Sequence, residues 1–149
     1  MRYLLDTNVI SEWEKPRPAL RVIRWFDQID EESLFLSAVV LAELRYGAER
    51  LAEGAKRKRL ETWIAEELIE RFEGRILNVD PPVANAWGKI MARSEAGGKR
   101  IHAMDGFLAA TAEVHELTLV TRNVEDFRMA RCSVVSPWID DESGDDKAP

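Results

Sequence analysis

"LLDTNVISEW", residues 4–13, decides how the rest of this chain is read. A short apolar run, Tyr3 to Leu5, stops on the carboxylate of Asp6 and passes into a segment of helical character. Buried strand, acid, helix start: that order places Asp6 at the exit of a strand. Asn8 is the expected cap of a short helix, "VISEW".

The pattern returns along the chain. "LFLS" reads as a second strand, with Ser37 capping the helix "AVVLAELRYGAERLA". Beyond Gly54 a helix carries Leu60, Trp63, Ile64, Leu68 and Phe72 on one stripe, and "RILNV" is a third strand. Asp80 before Pro81 and Pro82 marks another helix start. "DGFLAATAEVHE" is a helix of small residues suited to close packing, with Asp105 at its start. "LTLVT" is a fourth strand, "NVEDF" a turn of helix and "CSVVS" a last strand. Alternating helices and short, continuously apolar strands predict an α/β three-layer sandwich. A parallel sheet of about five strands would have helices on both faces.

The expected domain covers residues 1–139. The remaining 140–149, "DDESGDDKAP", are acidic and expected to be disordered. This tail carries −4 of the formal net charge of −6, which leaves −2 for residues 1–139 and no charge argument against a nucleic-acid partner. Neither a signal peptide nor a membrane span is expected, so the cytoplasm is the expected location. Cys132 is the single cysteine, read as a small buried hydrophobe, and with two histidines the chain offers no zinc set.

In such sheets ligands sit beyond the carboxyl ends of the strands, where strand order reverses. Asp6 and Asn123 are candidates by that position. Glu43 has Val39, Val40, Tyr46 and Gly47 as helical neighbours and no cation to pair with, unlike Glu49, which has Arg45 four residues earlier. It is read as facing inward, either into a pocket or toward a distant Arg. Asp105 has a similar apolar setting and is alternatively a helix cap.

Four segments together, "LLDTNVISE", "LSAVVLAELRYG", "HAMDGFLAATA" and "LVTRNVEDF", resemble the PIN-domain ribonucleases, and among them the VapC-type toxins of toxin–antitoxin pairs. The resemblance runs from Arg2 to Trp138. It implies a PIN-like fold with a catalytic set of Asp6, Glu43, Asp105 and Asn123, the first three holding the metal. Thr7, Asn8, Thr121 and Asp126 would support them. It further implies RNA cleavage by water, inhibition by a cognate antitoxin, and a homodimer. Three clustered carboxylates agree with a metal: a pair at 4 Å repels by about 4 kcal/mol at an effective dielectric near 20. Three such pairs rival the roughly 5–15 kcal/mol stability of a domain. Oxygen-only ligands point to magnesium or manganese.

Other features are weighed beside this. "KRKR", Lys56, Arg57, Lys58 and Arg59, is a basic run, ordinarily a solvated face and otherwise a phosphate contact; Arg17, Lys99 and Arg100 share that ambiguity. Trp13 and Trp25 are candidates to face a partner. Two rival functions are a phosphoacceptor signalling domain, with Asp80 as acceptor, and a non-catalytic binding module.

Overall fold

The structure, a computed structural model, describes residues 1–139; the expectation for 140–149 lies outside the described residues. Among the described residues there are five strands: β1 Tyr3–Leu5, β2 Leu34–Ser37, β3 Ile76–Leu77, β4 Thr118–Val120 and β5 Val134–Val135. All pair in parallel in the order β3-β2-β1-β4-β5. The chain steps outward from β1 to β3, then returns across β1 to β4. Right-handed crossovers therefore put the helices of the two halves on opposite faces. The order reverses between β1 and β4, which is where a sheet of this kind opens a crevice at its carboxyl edge.

The helices are α1 Thr7–Ile10, running into a 3-10 turn Ser11–Glu14; α2 Leu20–Asp27; α3 Ala38–Glu49; α4 Ala55–Thr62; α5 Ile69–Arg71; α6 Pro81–Ala96; and α7 Ala103–His115. A π-helical turn, Trp63–Leu68, joins α4 to α5. Its wider winding still delivers Trp63, Ile64, Leu68 and Phe72 to the core. Ser37 caps α3 by accepting from the Val39 amide at 3.1 Å, and Asp80 caps α6 by accepting from Val83 at 3.1 Å. A carboxylate used in this way is a poor phosphoacceptor.

Two caps differ from expectation. Asp6, not Asn8, caps α1: its extended backbone lets its own carboxylate reach the Thr7 amide. Asn8 sits inside α1, and its Oδ1 accepts from the Arg122 amide at 3.2 Å. Likewise α7 begins at Ala103 with His102 as its cap, leaving Asp105 as the third helical residue. Because the imidazole takes the orphan amide, the Asp105 carboxylate is spared that task.

Trp13 and Trp25 are both half-buried and used for packing. Trp13 lies 4.8 Å from Phe26 and 5.9 Å from Phe72, with the Arg71 guanidinium 4.2 Å from its ring. Trp25 meets Tyr3 edge-on at 5.2 Å. Such pairs add about 0.5–1.5 kcal/mol beyond the area they bury.

The packing of α6 on α7 fixes the site. A Cβ on Gly106 would lie 2.8 Å from Met91 Sδ and 3.0 Å from Trp87 Nε1, so any larger residue would have to displace both side chains. Trp87 stacks on Phe107 at 5.0 Å and donates from Nε1 to the Ala103 carbonyl at 3.0 Å. Asp105 is thereby held from both sides in sequence.

Candidate active site

Asp6 leaves β1 at the point of strand reversal and is almost wholly buried. Its Oδ1 accepts from the Thr7 amide at 2.6 Å, and its Oδ2 accepts from Thr121 Oγ1 at 2.7 Å. Thr121, the first residue past β4, also accepts through the same oxygen from the Asn123 amide at 3.1 Å. The Asp6 amide donates to the Val120 carbonyl at 2.9 Å, which continues the β1–β4 ladder to the crevice. The ends of two strands are thus locked together around one carboxylate.

Glu43 and Asp105 come to this carboxylate from α3 and α7. Burial raises the Glu43 carboxyl above its usual range, and the charge of Asp6 raises it further, against the opposing pull of Thr7 and His102. Asp105 is pushed up to about 6, first by burial and then by Asp6, Glu43 and Asp126, while His102 works the other way. Asp6 is itself raised by burial and by Asp126, partly offset by Thr121 and Thr7. Each acid therefore feels another of the set. Glu43 is half-buried, and no ion pair to it is seen among the described residues. Its Oε1 and the Thr7 hydroxyl are both buried without a hydrogen bond of good geometry. Two orphaned oxygens among mutually repelling carboxylates are unusual, because a buried unpaired polar group costs about 1–3 kcal/mol.

Asn123 opens the 3-10 turn Val124–Phe127 with its side chain exposed and making no cap hydrogen bond. Asp126, in the same turn, is the residue whose charge reaches Asp6 and Asp105. Sequence reading gave Asp126 a lesser part, because three residues of turn do not reveal which side chain folds back. His102 was missed as a member of the set; its place three residues before Asp105 was the available signal. Glu12, also overlooked, is buried to 2 % exposure; it bonds Lys15 at 2.5 Å and the Ala19 amide at 2.9 Å. Burial alone would raise Glu12, but these bonds, with Lys15 and Arg122 nearby, hold it below its usual range.

The basic run lies on α4. Arg57 is tied to Glu49 at 2.6 Å and to Glu61 at 2.8 Å, while Lys56, Lys58 and Arg59 are exposed. Among the described residues no three His, Cys, Asp or Glu side chains stand close enough to form a ready-made metal cluster. The carboxylates that feel one another offer oxygen, the donor a hard divalent cation prefers. A cation that uses one or two carboxylates and keeps its waters fits both facts.

A parallel α/β sheet with an acidic hollow at its switch point is the class that fold and site define. The PIN domain family model matches residues 3–131, and the chain belongs to that family. Over 137 residues the chain is 43% identical to "Toxin FitB" of Neisseria gonorrhoeae, covering 92% of this chain and 99% of that protein. It is 36% identical to "VapC ribonuclease Y4jK" of Sinorhizobium fredii, covering 91% and 96%. The solved structure of FitAB bound to IR36 DNA superposes with a TM-score of 0.88 at 39% identity, covering 95% of this chain and 99% of that one.

Proposed function

We propose that this chain is a divalent-metal-dependent endoribonuclease of the toxin class, held in check by a protein antitoxin. The observation that carries the reading is the meeting of Asp6, Glu43 and Asp105, from three separate elements, around oxygens left without partners. Membership of the PIN family and relatives named as a toxin and as a ribonuclease support it. Of Asp6, Glu43 and Asp105, one or two would hold the cation, magnesium or manganese, directly and the rest through its waters, with Asp126 and Asn123 at the rim. When bound, that cation supplies an activated water and charge neutralisation at a phosphodiester oxygen.

The chain's own contribution is positional. Thr121 and the Thr7 amide aim the Asp6 carboxylate and favour its charged form against the burial that raises it. Glu43 offers an uncommitted buried oxygen. Asp105, held near 6, passes to the carboxylate form as pH approaches neutrality. Homodimerisation and a cytoplasmic location belong to the same reading; among the described residues no helix is long and apolar enough to cross a membrane.

The test is to incubate purified protein with total cellular RNA, with and without magnesium, and map new ends. Metal-dependent cuts absent from an Asp6→Asn preparation are expected. Equal cutting by both proteins, or none by either, would overturn the assignment.

A further inference from the structure

A cleft of about 200 Å³ opens beside Asp105, lined by Lys99, Arg100, His102, Asp126, Arg128 and Met129 among others. Its volume lies below the roughly 300–1,000 Å³ of pockets that enclose a small ligand. It suits a short length of a polymer lying across it. Its lining brings both signs of charge together: Asp105, Glu125 and Asp126 with Lys99, Arg100 and Arg128.

The basic wall is built, not loose. The segment after α6 is pinned by the Lys99 amide donating to the Ser94 carbonyl at 3.2 Å and the Ile101 amide to Ser94 Oγ at 3.2 Å. Ser94 is fully buried, and Ile101 is buried too. Gly98, at φ +80, makes the turn that presents Lys99. Arg93 holds the Met129 carbonyl through Nη2 at 2.9 Å, and Met129, which also lines the cleft, packs against Gly97, where an added Cβ would sit 3.0 Å from its Cε. Arg128 forms a two-pronged, solvent-exposed pair with Glu125, at 2.6 Å and 2.7 Å, so it is the more engaged of the arginines here. Lys99 makes no ion pair among the described residues, and Arg100 makes only a solvent-exposed one with Glu95 at 3.3 Å. Two available cations stand beside an acidic centre that repels a polyanion everywhere except at a bound metal.

We propose that this cleft takes the backbone of single-stranded RNA next to the bond that is cut, with Lys99 and Arg100 contacting the flanking phosphates. The proposal rests on the nuclease reading above and names how its substrate is gripped. A metal neutralises the phosphate under attack; the neighbouring phosphates still need cations of their own. Lys99 and Arg100 supply them from a wall whose position relative to Asp105 is set by Ser94 and the His102 cap.

The test measures binding of a fluorescent single-stranded RNA by anisotropy over a range of salt. An Asp6→Asn background keeps the RNA intact. Adding Lys99→Gln with Arg100→Gln is expected to raise Kd about tenfold and to reduce the salt slope by about 1.4, roughly 0.7 per lost phosphate contact. Unchanged Kd and slope overturn the proposal, as does weaker binding at an unchanged slope. If the double change lowers the melting temperature, Lys99→Gln alone carries the test with a slope change of about 0.7. Cleavage by the unaltered protein is scored separately. Its absence would sink the nuclease reading, while the salt slope would still decide the cleft.

Discussion

Thr121 Oγ1 donates to Asp6 Oδ2 at 2.7 Å, joining residues 115 positions apart in the chain. The same oxygen accepts from the Asn123 amide, so one hydroxyl fixes the deepest acid of the site and the course of the loop that carries Asn123 and Asp126.

Thr121→Val removes that hydroxyl at nearly constant shape and leaves the Asn123 amide without its acceptor. A loss of about 1–3 kcal/mol is expected in denaturant unfolding. The hydrogen bond from Thr121 lowers the Asp6 pKa, so its removal raises it. The acid limb of the cleavage pH profile should therefore move to higher pH; a limb that stays in place contradicts this role.

Asp6→Asn should abolish cleavage while leaving metal-free stability within about 1 kcal/mol of the original, or above it. The amide can keep the Thr7 bond through its oxygen and donate to Thr121 from its nitrogen, and it relieves repulsion on Glu43 and Asp105. A clear drop in melting temperature without metal would speak against clustered, repelling acids.

Asp105 carries the pH signature. Its folded pKa, about 6, lies above its ordinary value of 3.8, so the folded state holds the proton more tightly and stability falls as pH rises between those values. Asp105→Asn should remove that part of the decline. The difference in melting temperature, variant minus parent, is thus expected to grow in the variant's favour from pH 4 to pH 6 and then level off. A flat difference would show that Asp105 is not raised.

Millimolar magnesium or manganese should raise the parent's melting temperature by binding the folded state alone. The rise should be larger at pH 7.5 than at pH 5, where protons occupy the raised carboxyls. Asp105→Asn should lose most of it. Equal rises in both proteins would place the cation elsewhere.

Gly106→Ala tests how the site is positioned. The new methyl meets Met91 Sδ and the Trp87 ring, and the ring cannot yield without losing its bond to Ala103. About 1–3 kcal/mol of destabilisation is expected, with reduced cleavage, since Asp105 is the adjacent residue. Unaltered stability and rate would mean that α6 and α7 part freely.

The sequence by itself determined the strands, the α/β class and the acids worth attention, because these rest on local signals. Apolar runs of three to five residues, Ser37 and Asp80 as caps, and a Glu43 with no helical counter-charge are all legible within a few residues. Helix starts were misplaced where a neighbour could do the same job. Asp6 and Asn8 both bear cap-forming side chains, as do His102 and Asp105, and only the backbone angle at each selects one. The tertiary structure alone decided the rest: that β4 lies against β1, that the charge of Asp126 reaches the acids, and that Lys99 lines one cleft with Asp105. Those relations depend on strand order and loop course, which arise from long-range packing. No short stretch of side chains encodes them.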